Sequence, residues 1–259
     1  MRDLRLADCS RVEAVFTDVD GTLTTAGRLR ASTVGAIEAL VSAGIDVVLV
    51  SGRPAGWGEA WARQLPVRGV IVENGGLYFA WRRSRLTRVY AEAPAERARN
   101  RRALARHVSA ALRHVPGSRL SSDSVYTEVD LAIDYAEDAA LGEQAAEKLE
   151  RFLRARGVKA VRSSVHVNCW LGEFDKQSMV RRFLRTEWKT QLAPDDRRFL
   201  YAGDSLNDAP MFEAFALSVG VANVRDVLHL IDAEPKFVTR APEGKGFEEL
   251  VKKILRSAA

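Results

Sequence analysis

Several features of membrane-embedded and secreted proteins are missing from this chain of 259 residues. It has only two cysteines, Cys9 and Cys169, and they do not share a metal-binding spacing. No stretch approaches the roughly 18 uninterrupted apolar residues of a membrane span. The first segment, MRDLRLADCS, lacks the apolar core of a secretory signal. We therefore expect a cytoplasmic protein with two free thiols and no membrane partner.

Lysine is scarce among the 39 basic residues, and the formal net charge is +5. Three interpretations stay open: a solvated surface rich in arginine and glutamate, attraction of a dianionic small substrate, or a nucleic-acid partner. Five arginines of one predicted helix do not share a face, and few aromatic residues lie between them. These are Arg97, Arg99, Arg101, Arg102 and Arg106. A nucleic-acid partner is therefore not favoured, and no feature predicts an oligomeric state.

Apolar strands alternate with amphipathic helices at both ends of the chain. Four segments predict buried strands: 12–17, 46–52, 69–76 and 197–204. Segments 32–44 and 176–188 predict helices between such strands. Continuous apolar strands joined by helices are typical of a parallel sheet covered on both faces. The expected fold class is therefore α/β, with a Rossmann-like parallel sheet.

The middle of the chain has a different pattern. Two segments predict helices, 93–114 and 139–157, and two alternate as strands with one covered face, 124–135 and 159–170. We therefore expect an α+β insertion at residues 83–172, within a core formed by residues 1–82 and 173–259.

Each predicted core strand ends in a polar cluster. The clusters are Asp18 with Asp20, Ser51-Gly52-Arg53, Glu73 with Asn74, and Asp204 with Ser205, Asn207 and Asp208. One such cluster alone would be ordinary turn chemistry. Because ligands of open parallel sheets bind at the carboxyl ends of the strands, four clusters at one edge indicate a functional site.

The carboxylates at this edge would repel one another unless a cation lay between them. Mg²⁺ prefers oxygen ligands, and substrate phosphate often completes its shell, so we predict Mg²⁺ bound by Asp18 and Asp204. Lys176 would balance the charge of an anionic substrate, and Gly21 would let the backbone approach a phosphate. Such a set suits phosphoryl transfer, in which a carboxylate can be the nucleophile.

Four segments carry a resemblance. DVDGT (18–22), SGR (51–53), Lys176 and GDSLND (203–208) resemble, in order, the motifs of haloacid dehalogenase-like phosphatases. The insertion is similar to the large cap of branches that include sucrose-phosphate, trehalose-phosphate and mannosyl-3-phosphoglycerate phosphatases. The resemblance implies a Rossmann-like core with an inserted α+β cap. It also implies a Mg²⁺-dependent phosphatase that acts on a small phosphorylated metabolite, such as a sugar phosphate, through an aspartyl-phosphate intermediate.

The resemblance implies roles for four acids. Asp18 would attack phosphorus and bind Mg²⁺. Asp20 would act as general acid and base, and its backbone carbonyl would also contact the metal. Asp204 would bind Mg²⁺, with Asp208 behind it, directly or through water. Asp18 and Asp20 are close enough to titrate as a coupled pair. The aspartate at position 20 favours a phosphatase over the ATPase branch.

Other motif residues would hold the substrate. By the same resemblance, Ser51, Gly52 and Lys176 would hold the phosphoryl oxygens, and Asn207 would orient the phosphate. Arg53 would either contact substrate or brace its own loop.

In the insertion, two polar strand faces suit sugar hydroxyls. Glu128 with Asp130 lies on one face, and His166 with Asn168 lies on the other. We therefore expect Glu128 and His166 to contact substrate, although a solvated strand face is an equally good interpretation of either residue.

Three other functions stay open. A phosphosugar mutase would use the same aspartyl-phosphate, but no arginine motif typical of that branch is evident in the insertion. The second is a phosphatase that acts on nucleic-acid ends, which the positive net charge alone suggests. A non-catalytic binding module fits poorly, because every implied catalytic position is filled.

Overall fold

A nine-stranded sheet forms the centre of the computed structural model, which describes residues 1–163 and 165–258. Seven strands run parallel, in the spatial order β1 (Arg2–Asp3), β15 (Phe237–Val238), β14 (Leu217–Gly220), β13 (Phe199–Gly203), β2 (Ala14–Thr17), β5 (Asp46–Val50) and β6 (Gly69–Val72). An antiparallel hairpin, β7 (Leu77–Arg82) and β8 (Arg85–Tyr90), extends one side. A separate small hairpin, β3 (Thr24–Thr25) and β4 (Arg28–Leu29), follows β2.

Helices cover both faces of this sheet. One face packs against α1 (Ala31–Ser42), α2 (Ala55–Gln64) and α7 (Glu243–Ala258), and the other against α5 (Lys176–Glu187) and α6 (Ala209–Ala214). In β2, Val15 belongs to the first apolar layer and Phe16 to the second. Because successive side chains of a strand point to opposite faces, a strand covered on both sides is apolar throughout. The predicted α/β class with a parallel core sheet is confirmed.

Aromatic rings fill the layer beneath α5. The ring of Phe16 lies 6.3 Å from that of Phe183 and 5.8 Å from that of Trp188, both edge-on. Phe183 also meets Tyr78 edge-on at 5.2 Å. Gly69 leaves room for this ring, since a Cβ there would lie 2.4 Å from Phe183 Cε2. The cluster fixes α5 against the sheet and thereby fixes its first residue, Lys176.

The inserted cap has its own sheet and core. Its four antiparallel strands lie in the order β11 (Lys159–Arg162), β12 (His166–Trp170), β10 (Leu131–Asp134) and β9 (Arg119–Leu120). Helices α3 (Pro94–His114) and α4 (Glu143–Arg154) cover the face that carries Ile133 and Val167. The opposite face carries His166 and Asn168, which turn toward the main sheet's polar edge. Apolar and polar residues alternate in β10 and β12 as predicted, but the polar face is not open to solvent, because it lies against the core and all residues of both strands are buried.

Segment 124–135 departs from the predicted strand. Only Leu131–Asp134 is extended in the cap sheet, and Ser124–Tyr126 forms a 3₁₀ turn. The buried carboxylate of Glu73 accepts the backbone N–H groups of Glu128, Val129 and Asp130, at 2.6–2.9 Å. Because these three N–H groups bond to Glu73, they cannot pair with a neighbouring strand. Apolar and polar residues nevertheless alternate along the segment. In segment 159–170, the predicted strand is two strands, β11 and β12, with residue 164 outside the described part.

The limits of the insertion also differ from the prediction at residue 83. Strand β8, which the sequence placed in the cap, pairs with β7 along its whole length in the main sheet. We propose that the inserted unit begins after Tyr90. None of the helices in the described ranges is both long enough and apolar enough to cross a membrane.

Replacing Phe183 with alanine tests the aromatic layer. Phe183 is fully buried among three rings, so Phe183→Ala should lower the free energy of unfolding by about 3–5 kcal/mol. Equilibrium unfolding in guanidinium chloride measures the change. Val125, which is 80% exposed, provides the control, because Val125→Ala should change stability by less than about 0.5 kcal/mol. Equal effects of the two substitutions would contradict this packing.

Glu73→Gln tests the attachment of the cap loop. The Glu73 carboxylate also accepts the N–H of Ala55, so it has four backbone donors. An amide offers one acceptor oxygen and leaves buried donors unpaired, which should cost about 1–3 kcal/mol of unfolding free energy. The exposed Glu38 supplies the matched control, Glu38→Gln. Hydrogen exchange should also accelerate at residues 128–130, and unchanged exchange there would refute the assignment.

Candidate active site

Four elements deliver polar side chains to one edge of the main sheet. Asp18 follows β2, Ser51 follows β5, and Asp204 follows β13, so all three lie at carboxyl ends of parallel strands. Lys176 enters from above as the first residue of α5, whose N-terminus is capped by Asp175. The parallel sheet thus brings together residues that are up to 186 positions apart in sequence.

Three buried carboxylates form a compact group at this edge. Asp18, Asp204 and Asp208 each offer an oxygen, and these oxygens lie within 4.8 Å of one another. Gly21 crosses directly above them, and a Cβ at Gly21 would lie 2.4 Å from Asp204 Oδ2. Close backbone approach and an all-oxygen donor set fit a hard divalent cation such as Mg²⁺.

Asp204 and Asp208 have different surroundings. Asp204 accepts one hydrogen bond on each oxygen, from Thr22 Oγ1 at 2.7 Å and from Asn223 Nδ2 at 2.9 Å. Asp208 accepts from Lys176 Nζ and from the Tyr201 hydroxyl on Oδ1. Its Oδ2 accepts backbone N–H groups of its own loop. Each oxygen of Asp208 therefore accepts several hydrogen bonds, whereas each oxygen of Asp204 accepts one.

Lys176 supplies the positive charge at this cluster. Its Nζ lies 2.8 Å from Asp18 Oδ1 and Asp208 Oδ1, and 3.1 Å from Asn207 Oδ1. Burial opposes its charged form, but the two carboxylates outweigh burial and raise the pKa of Lys176. Burial raises the pKa of Asp18 to about 8, although Lys176 opposes the rise. One ammonium cannot neutralise three acids, so the cluster favours an additional cation.

Asp20 turns away from this cluster toward Arg53. The Arg53 guanidinium donates to both Asp20 oxygens, from Nε at 2.9 Å and from Nη2 at 3.0 Å. The same guanidinium pairs with two cap carboxylates, Asp123 at 3.4 Å and Glu137 at 3.0 Å. Arg53 therefore contacts both the core and the cap at once, and its contact with substrate stays a prediction.

A small cavity lies between the polar edge and the cap. It has about 30 Å³ of free volume, enough for about two water molecules and too little for a phosphate ester. The predicted residues Asp18, Asp20, Ser51, Gly52, Arg53, Asn207 and His166 line it. Lys176, Asp204 and Asp208 lie behind Asp18. Two larger cavities border the same site: one of about 620 Å³ is lined by Lys176 and Asn207, and one of about 540 Å³ is lined by Asp204 and Asn223.

Glu128 is not part of this cavity. Its carboxylate accepts hydrogen bonds from Arg88 and from the Tyr90 hydroxyl, both on β8. The expectation that Glu128 contacts substrate came from treating 124–135 as one strand. The backbone N–H of Glu128 bonds to Glu73 instead, and its side chain bonds to β8 rather than lining the cavity.

Several site residues escaped the sequence analysis. Of these residues, Asn223 was the easiest to predict from the sequence, because it follows the apolar strand β14 as Asp204 follows β13. Asp123 and Glu137 lie in irregular cap loops, where no periodic pattern indicates orientation. Arg101, treated as a solvated arginine, in fact donates to Thr127 Oγ1 and to the backbone carbonyl of Asp130.

Known proteins match this chain over part of its length. A family model for haloacid dehalogenase-like hydrolases matches residues 15–93, which contain Asp18, Asp20 and Ser51. A phosphoglycolate phosphatase of Methanoculleus marisnigri is 39% identical over 69 residues, which is 26% of this chain. That match spans 30% of the length of the relative.

Solved structures share the fold over nearly the whole chain. The crystal structure of Thermoplasma acidophilum 0175 has a TM-score of 0.73 at 19% identity, covering 94% of this chain and 98% of that one. The trehalose-6-phosphate phosphatase C-terminal domain of C. albicans has a TM-score of 0.70 at 19% identity, covering 98% and 96%. At such identities the likeness concerns the fold, cap included. The motif residues meet at one site, and the segment that carries the first of them, residues 15–93, is similar to haloacid dehalogenase-like hydrolases.

Proposed function

We propose that the protein is a Mg²⁺-dependent phosphatase that hydrolyses a small phosphorylated metabolite through an aspartyl-phosphate on Asp18. One observation carries the proposal: a buried lysine is bonded to Asp18 inside a three-carboxylate cluster at the sheet edge. A sugar phosphate is the preferred substrate class. The cap face over the site offers amide and carboxylate groups to hydroxyls, and the similar C. albicans protein is a trehalose-6-phosphate phosphatase.

Asp18 is suited to attack because Lys176 occupies only one of its oxygens. Lys176 donates to Oδ1, and Oδ2 attacks phosphorus to form the new P–O bond. The ester P–O bond breaks, and the leaving oxygen takes the proton of Asp20. Water then attacks the same phosphorus while Asp20 accepts a proton, and inorganic phosphate leaves Asp18. Arg53 occupies both oxygens of Asp20, so Asp20 reaches the leaving oxygen only after Arg53 releases it.

Mg²⁺ would be held by Asp18 and Asp204, together with the backbone carbonyl of Asp20. It would offset the negative charge that the carboxylates and the phosphate bring together. Thr22 and Asn223 orient Asp204 for this role. Ser51 lines the cavity with its hydroxyl close to the loop of Gly52 and Arg53, where it can donate to a phosphoryl oxygen.

Asp18→Asn should abolish turnover, because an amide oxygen is a poor nucleophile. Phosphate release from p-nitrophenyl phosphate and from a panel of sugar phosphates, with Mg²⁺ present, should fall by at least about 10³-fold. Circular dichroism should report an unchanged fold. Asp195→Asn, at an exposed position, serves as the matched control and should retain wild-type rates. Wild-type rates from Asp18→Asn would refute the nucleophile assignment.

Metal binding can be tested without turnover. Mg²⁺ at about 100 times its dissociation constant should stabilise the folded chain by about 2.7 kcal/mol, which raises Tm by several degrees. Asp204→Asn should remove most of this shift, whereas Asp195→Asn should keep it. Differential scanning fluorimetry with and without EDTA measures both. An equal shift in Asp204→Asn would show that the ion binds elsewhere.

A further inference from the structure

We propose that the cap makes this enzyme select phosphate esters whose leaving group bears hydroxyl or ammonium groups, and reject leaving groups that bear a carboxylate. Asp123 and Glu137 are the specificity-determining residues. This inference rests on the proposed phosphatase function and adds to it the charge class of the substrate.

Acidic side chains dominate the cap side of the cavity. Asp123 and Asp130 line it, and Glu137 reaches its edge through Arg53. Among the described residues that line the cavity, Arg53 is the sole arginine or lysine. Its guanidinium already serves three carboxylates, those of Asp20, Asp123 and Glu137. No arginine or lysine among the described lining residues is therefore left to pair with a carboxylate on the substrate.

Neighbouring groups hold Asp123 and Glu137 in place. Asp123 accepts a hydrogen bond from Trp57 Nε1 at 3.0 Å and another from Ser121 Oγ. The Asp134 carboxylate accepts four successive backbone N–H groups of residues 136–139, including that of Glu137 at 2.9 Å. Asp134 thus fixes the loop that presents Glu137. Preorganised acceptors of this kind discriminate between ligands better than freely mobile surface acids do.

His166 independently indicates a ligand at the same wall. It is 5% exposed and lines the cavity, yet its Nε2 has no aligned hydrogen bond. Glu137 Oε2 lies 2.8 Å away, but outside hydrogen-bond geometry. A buried polar atom without an aligned partner is costly, and a substrate hydroxyl could satisfy it. Asn168, which is also buried, lines the cavity beside it.

Charge then decides between leaving groups. Hydroxyl and ammonium groups donate to carboxylates, whereas a substrate carboxylate would meet like charges at close range in a site shielded from water. Arranging like charges opposite each other is a usual way to exclude wrong partners. The phosphoryl end is the same in every ester, so the discrimination must arise at the cap.

Two matched ester pairs isolate this effect. Sorbitol 6-phosphate and 6-phosphogluconate differ only in a terminal hydroxymethyl or carboxylate group, and phosphoethanolamine and phosphoglycolate differ in an ammonium or carboxylate group. We measure kcat/KM for phosphate release. For esters that are not turned over, we measure the inhibition constant against p-nitrophenyl phosphate. In each pair the wild type should favour the member without a carboxylate by at least tenfold.

Variants of the cap acids should weaken the preference. Glu137→Gln and Asp123→Asn should each lower the within-pair ratio at least threefold, because each removes one negative charge from the wall. Glu147→Gln, on an exposed face of α4, is the matched control and should leave the ratio unchanged. The ratio within a pair corrects for any loss of folded protein or of general activity.

The outcomes separate this inference from the phosphatase proposal. If p-nitrophenyl phosphate is not hydrolysed with Mg²⁺, the proposed function fails, and the charge preference is then measured by the Tm shift that each ester produces. If hydrolysis occurs but the carboxylate member of either pair is equal or better, only the charge inference fails. It also fails if Glu137→Gln and Glu147→Gln change the ratio equally.

Discussion

A buried ammonium group between carboxylates is the interaction on which this molecule depends. Lys176 lies 2.8 Å from both Asp18 and Asp208, and all three side chains are almost inaccessible to water. Removing either partner of such a pair would leave a buried charge uncompensated, which is far more costly than losing a surface ion pair. The aromatic layer under α5 supports this ion pair, because it fixes the position of the helix that begins at Lys176.

Arg53 forms ion pairs with carboxylates of both the core and the cap. Its planar guanidinium has enough donors for Asp20, Asp123 and Glu137 together, which a lysine could not match in geometry. The cavity beneath it has about 30 Å³ of free volume. Cap opening must break the contacts from Arg53 to the cap. The contact between Arg53 and Asp20 lies within the core, so one side chain joins a core carboxylate to two cap carboxylates.

Glu73 shows how a core residue can shape the cap. Its carboxylate takes three successive N–H groups of the cap loop and one at the start of α2. Burial raises the pKa of Glu73, and the four donors oppose that rise. The loop that carries Asp123 and Asp130 is therefore anchored near the motif residues, where both acids line the cavity between core and cap.

The sequence by itself determined the parallel core, the cap insertion and the motif residues at the polar edge. The spacing of apolar residues and the polar residues that follow predicted strands can both be recognised from the sequence alone. Only the tertiary structure decided that β8 pairs with β7 in the main sheet, that Glu128 bonds to β8 and that Asp123 and Glu137 meet Arg53. These outcomes depend on which distant backbone groups and charges become neighbours. The alternation of apolar and polar residues could not reveal that Glu73 accepts the N–H groups of residues 128–130. Such a pattern indicates which face of a strand a side chain lies on, but not which distant group it contacts.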